Sequence, residues 1–142
     1  MTNPVAPFAM PARFSAELGR VNDYWNGLKR GENKIPFADD LKLSALRGVD
    51  DRAMLIDVFE QPQRFRFAVV GAKIRQWYGG DLVGRFADEV DDQGPLAYLR
   101  AQASATVEAA QPTYFKNGCS RLVLPFWGNG YISTLLAVAL QT

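Results

Sequence analysis

The chain has 142 residues, 48% of them apolar and 12% aromatic, enough for a single domain with one sizeable core. Sixteen basic against fifteen acidic residues leave a net charge of +1, which excludes the charge footprint of a nucleic-acid or anionic-membrane binder. Histidine is absent and cysteine occurs once, so the commonest general base and metal ligand is missing, and neither an internal disulfide nor a thiolate zinc cluster can form.

In chain order, residues 1–11 carry three prolines and no basic cluster ahead of an apolar run. They predict a flexible lead rather than a signal peptide. The longest apolar stretch, Leu135 to Leu140, falls far short of the ~18 residues of a membrane span, and a cytoplasmic protein is expected. Residues 12–50 form an N-terminal helical extension in this scheme. Phe14, Leu18, Val21, Trp25 and Leu28 recur at helical spacing, predicting a helix from about Ala12 to Arg30 that Ser15 or the residues just before it cap and Gly31 ends. A second, short helix is expected after Asp39, stopping at Gly48.

The remaining residues, 51–142, are expected to form the core. Period-2 alternation predicts strands at Ala53–Phe59, with Met54, Ile56 and Val58 on one face, and at Arg64–Val70, with Phe65, Phe67 and Val69 on one face. Ala72–Tyr78 reads as a short helix ended by Gly79-Gly80, and Pro95 opens a longer helix to about Ala110. Thr113–Asn117, Arg121–Trp127 and Tyr131–Leu140 complete the strands, the last two joined by a Gly128-Asn129-Gly130 hairpin. The far half of the last strand is apolar on both faces, which places it centrally. Two hairpin sets joined through a central last strand give an α+β fold with a five-stranded antiparallel sheet, order 2-1-5-4-3, the middle helices on one face.

That order, with Tyr24 to Gly31, Ile35-Pro36, Leu55 to Val58, Arg64 to Phe67, Val70-Gly71, Gly80 to Gly84 and Leu124-Pro125-Phe126, resembles the bacterial single-domain PAS family common in alphaproteobacteria. The resemblance spans about Val21 to Leu140. Phe37 stands after Pro36 where such proteins usually carry an arginine, and Asp39-Asp40 lacks the family's acidic-proline step. The resemblance implies a PAS core and either a small-ligand pocket or docking to signalling proteins.

An apolar or aromatic ligand would sit between Trp77, Tyr78 and Phe86 on one side and Met54, Ile56, Phe67 and Val69 on the other, with the Tyr78 hydroxyl or Trp77 indole as a polar anchor. The bland alternative is that these aromatics fill the core. PAS haem sensors of the familiar kind use a histidine, and a flavin photosensor would need a cysteine on the middle helices. Cys119 lies instead in a predicted turn, so no cofactor is assigned. Asp88-Glu89 and Asp91-Asp92 lack calcium-loop spacing and read as a solvated loop, so no metal is expected. Arg64, Arg66, Lys73 and Arg75 read as a charged, protected sheet edge. No nucleotide loop or nucleophile elbow is present, and no catalytic residue is assigned.

Phe14, Leu18, Val21 and Trp25 form an apolar stripe that would dock on the sheet's open face or on a second chain. Used on a second chain, it predicts a homodimer. No output domain is expected after Thr142, so a signal is expected to pass in trans to a partner protein. Two readings from other classes stand beside this one. The first is a small cone-shaped isomerase or hydratase using Tyr78 with Asp81 or Asp57, against which the split of the strands counts. The second is a purely structural interaction subunit.

Overall fold

The computed structural model describes residues 7–141. Five strands, β1 (Ala53–Phe59), β2 (Arg64–Val70), β3 (Thr113–Lys116), β4 (Cys119–Gly128) and β5 (Tyr131–Gln141), form one sheet in the order β2-β1-β5-β4-β3. Every pairing is antiparallel. The expected order is therefore the observed one, and β5 is its middle strand. Asn129 and Gly130 both have positive φ, 53° and 87°, the geometry the Gly-Asn-Gly turn predicts.

Three helices accompany the sheet: α1 (Ala16–Gly27), α2 (Ala72–Tyr78) and α3 (Leu99–Ala109). α1 starts where the Ser15 side chain accepts from Leu18 N at 3.2 Å. The short helix expected after Asp39 is a pair of 3-10 turns, Ala38–Asp40 and Leu43–Ala45. The helix expected from Pro95 is also divided. Gly94–Leu96 is a 3-10 turn, Tyr98 is left-handed at φ 58°, and α3 begins only at Leu99.

Apolar alternation gives the sheet two buried faces. On the inner face Met54, Ile56, Val58, Phe65, Phe67, Leu135 and Ala137 pack under Ile74 of α2 and Leu99 and Ala103 of α3. On the outer face Leu122, Leu124, Phe126, Leu136 and Val138 pack under Leu18, Val21 and Trp25 of α1. Burying a side chain of this size contributes roughly 1.5–3 kcal/mol, which offsets the weak helix propensity of Gly19 and Gly27.

The stripe read as an interface is thus occupied within the chain. Leu18, Val21 and Trp25 are buried against the chain's own sheet, and half-buried Phe14 packs edge-on to Tyr114 at 5.7 Å. Unsupported by β3 beyond Val123, the far half of β4 is completed from the N-terminal extension. The Trp25 indole donates to Pro125 O at 2.8 Å, and Trp127 N donates to Pro36 O at 2.8 Å. Pro125 is tolerated there because its missing N–H lies on the same outward side as that carbonyl. Trp25→Phe keeps an aromatic ring and deletes the donor together with the five-membered part of the indole. It is expected to lower the unfolding free energy by about 1–3 kcal/mol in urea titrations followed by circular dichroism; an unchanged midpoint would show that Pro125 O does not depend on the indole.

At the start of the described residues, Phe8 is buried and its carbonyl accepts from Tyr114 N at 2.9 Å. The expected flexible lead thus includes a docked segment; residues 1–6 lie outside the described residues. Among the described residues, no helix is long and apolar enough to cross a membrane.

Candidate functional site

The residues proposed to line a chamber separate into three groups. Met54, Ile56 and Phe67 are fully buried on the inner face. Trp77 and Tyr78 are half-buried at the end of α2, packed against the same cluster. Val69 and Phe86 lie elsewhere. Leu55 faces Val69 while Ile56 faces Phe67, so Ala68 is an extra residue in β2. Such a bulge shifts the alternation by one. Val70 turns inward in place of Val69, which is 40% exposed.

Phe86 belongs to residues 84–86, which run along the free edge of β2. Phe67 N donates to Arg85 O at 2.9 Å, and Gly84 N donates to Phe67 O at 2.7 Å. The Phe86 ring lies 3.7 Å from the Arg64 guanidinium carbon and 5.5 Å from the Phe59 ring. It caps the sheet edge instead of facing a chamber.

Between the sheet and the middle helices, Phe67, Ala87, Val90, Leu96 and Leu99 meet along a seam with no space for a water molecule. Tyr78 Oη accepts from Asp91 N at 3.2 Å, and the Trp77 indole lies against Gly94. The proposed anchors thus tie α2 to the loop before α3. More open recesses lie outside the sheet layers, one of about 280 Å³ bounded by Asn33, Lys34, Ile35, Phe37 and Trp127.

Groups invoked for acid–base chemistry are dispersed. Asp57, on the face opposite Ile56 and Val58, pairs with Arg66 at 2.9 Å. Asp81 accepts from Val83 N at 3.2 Å. Tyr78 packs on the inner cluster, across the sheet from Asp57. The basic edge is largely paired with carboxylates. Arg64 grips Asp88 through two contacts of 2.9 Å, and Lys73 lies 3.6 Å from Asp51. The Arg64 hydrogen bonds hold the Asp88 carboxyl below the usual carboxylate range. This pair's contribution is therefore present at neutral pH and fades as acid protonates Asp88. Among the described residues, no group of three or more acidic or cysteine side chains is placed to hold a metal.

A buried polar cluster is the feature the sequence reading missed. Arg121 of β4 is fully buried. Its Nε donates to Gln102 Oε1 at 2.7 Å, Nη1 to Pro95 O at 2.8 Å and Nη2 to Ala97 O at 2.8 Å. Gln102 Nε2 in turn donates to Thr113 Oγ1 at 3.2 Å and to Arg121 O at 3.1 Å. Thr106 donates to Gln102 O at 2.8 Å and shares a 2.7 Å contact with Thr113. The Phe115 ring covers the guanidinium at 4.8 Å.

Among the described residues, no carboxylate touches this cation. Burial pushes the guanidinium down to about 10, against the pull of Cys119 and Asp92, and it stays charged at neutral pH. Burial pushes the neighbouring Cys119 thiol up, which keeps it in the unreactive protonated form. The cluster also explains the divided helix. The carbonyls of Pro95 and Ala97 turn toward Arg121, so they cannot continue a helical ladder into Leu99. Parity carried the missing signal: Arg121 shares the inward side of β4 with Val123, and Gln102 and Thr106 sit four apart on the face of α3 that carries Ala103.

The chain matches no protein-family model, and searches of curated proteins and of solved structures likewise return no match.

Proposed function

We propose that the chain is a cytoplasmic, PAS-type regulatory module that acts by docking to a partner protein and signals in trans, without catalysis. The observation that carries this is the sheet order β2-β1-β5-β4-β3 with helices on both faces, taken with the motif resemblance from Val21 to Leu140. The dry seam between β2 and α3 favours docking over a resident ligand. A small aromatic ligand is the second reading, favoured by Trp77 and Tyr78, which are half-buried against the inner cluster. It would have to displace one of them.

Native mass spectrometry of the full chain, taken from cells after mild crosslinking, separates the two. A stoichiometric complex with a second protein species and no small-molecule adduct is expected. A bare chain carrying a stoichiometric small-molecule adduct would replace docking with ligand sensing.

A further inference from the structure

The sheet is notched beyond the start of β3. That strand begins at Thr113, opposite Val123, and past it the edge of β4 is met by Trp25 at Pro125 and by Pro36 at Trp127. An open recess of about 540 Å³ lies there, within the size range of small-molecule sites. Its walls come from α1, from Lys34 and from the end of α3. Asn22 and Asn26 are one turn apart on α1, and Lys29 follows just past its end. This row is ordered by its own bonds. Asn26 Nδ2 donates to Asn22 O at 3.1 Å, Lys29 Nζ donates to Asn26 Oδ1 at 2.9 Å, and the same ammonium lies 4.4 Å from the centre of the Trp25 ring. Asn22 Oδ1 is shut off from solvent and has no hydrogen-bond donor.

Charge in the recess has two signs on separate walls. No acidic side chain lines it, and among the described residues neither Lys29 nor Lys34 forms an ion pair. Two ammonium groups on one space repel each other until an anion joins them. Another wall is Ala109 and Ala110. Ala110 is left-handed at φ 55° and ends α3. The last carbonyls of a helix have no partner within it and carry partial negative charge. Met10, Trp25 and Pro112 add apolar surface.

We propose that this recess is a binding site for a free amino acid with an apolar side chain. Its carboxylate meets Lys29 and Lys34, its ammonium meets the end of α3, and its side chain lies against Trp25, Met10 and Pro112. The ammonium also supplies the donor that the Asn22 amide lacks. A ligand this small binds at millimolar levels and leaves on dilution. The site therefore stands apart from the partner docking proposed above and adds no lasting adduct to the chain.

Proton–nitrogen correlation spectra of the full chain, titrated with L-leucine to millimolar levels, test this. The reporter is the indole N–H of Trp25, whose ring lines the recess. A saturable shift of that signal is expected. Isocaproate, which lacks the ammonium, and isoamylamine, which lacks the carboxylate, are each expected to bind about tenfold or more weakly than L-leucine. Lys29→Gln and Lys34→Gln are each expected to weaken L-leucine about tenfold, with signals remote from the recess unchanged. A Trp25 signal that L-leucine leaves in place overturns the proposal. So does isocaproate or isoamylamine binding as tightly as L-leucine, or a pair of lysine variants with wild-type affinity. The three-ligand comparison uses the wild-type chain, so it decides the matter whether or not a variant folds.

Discussion

Arg121→Ala is expected to lower the unfolding free energy by about 4 kcal/mol or more in urea titrations followed by tryptophan fluorescence. The size follows from what the side chain leaves behind. Pro95 O and Gln102 Oε1 lose their donor in the buried interior and Ala97 O loses its donor where it is part-buried, and each orphaned buried acceptor costs roughly 1–3 kcal/mol. A void under Phe115 adds to that. Arg121→Met separates the contributions. It fills most of the volume and relieves the interior of a charge without a counter-ion, so it is expected to cost only about half as much. An alanine variant within about 1 kcal/mol of wild type would mean that water satisfies these carbonyls and that the cluster does not fasten α3 to β4.

Gly71→Ala is the second large effect, expected at about 3 kcal/mol or more of lost stability. Glycine to alanine at an ordinary backbone angle usually stabilises by about 0.4–1 kcal/mol, through the unfolded chain, and Gly71 has an ordinary φ of −63°. Space reverses the sign. A β-carbon at Gly71 would overlap the main-chain carbonyl of Asp51 and come within 2.9 Å of Asp50 O. Both belong to the 3-10 turn Asp50–Arg52 that leads into β1. Neither can swing aside without breaking the 2.8 Å bond from Gly71 N to Ala53 O. Gly19→Ala is the matched control. It lies inside α1 with nothing within 4 Å of its added carbon, and it is expected to gain about 0.5–1 kcal/mol. If the two variants shifted the urea midpoint in the same direction, close approach at Gly71 would not be the reason for its glycine.

These two residues also mark how far a sequence can be read. Strand positions and their order were legible because alternation in β1 and β2, the Gly-Asn-Gly turn and the doubly apolar β5 each carry a local physical signal. The inward face of β2 was legible only as far as Phe67. One extra residue, Ala68, reverses parity after it, and nothing in Ala-Val-Val announces a bulge. The break at Tyr98 was hidden for a different reason. Pro95 to Ala110 is a consistent helical pattern, and the interruption is imposed by a side chain more than twenty positions away. The aromatic stripe of α1 was legible as a stripe, but its partner was not, because periodicity gives a face and never says what covers it. The lining of the candidate chamber was legible only in part. Trp77 and Tyr78 do face the inner cluster, whereas Phe86 follows the main-chain bonds of Gly84 and Arg85 to the sheet edge.

Those edge bonds have a consequence for solubility. Exposed margins are where sheets from separate molecules stack into fibres. Here residues 84–86 occupy one margin and Phe8 the other, so the sheet offers amyloid-like growth little template on either side. A small open sheet gains in this way some of the protection that a closed barrel has from its geometry.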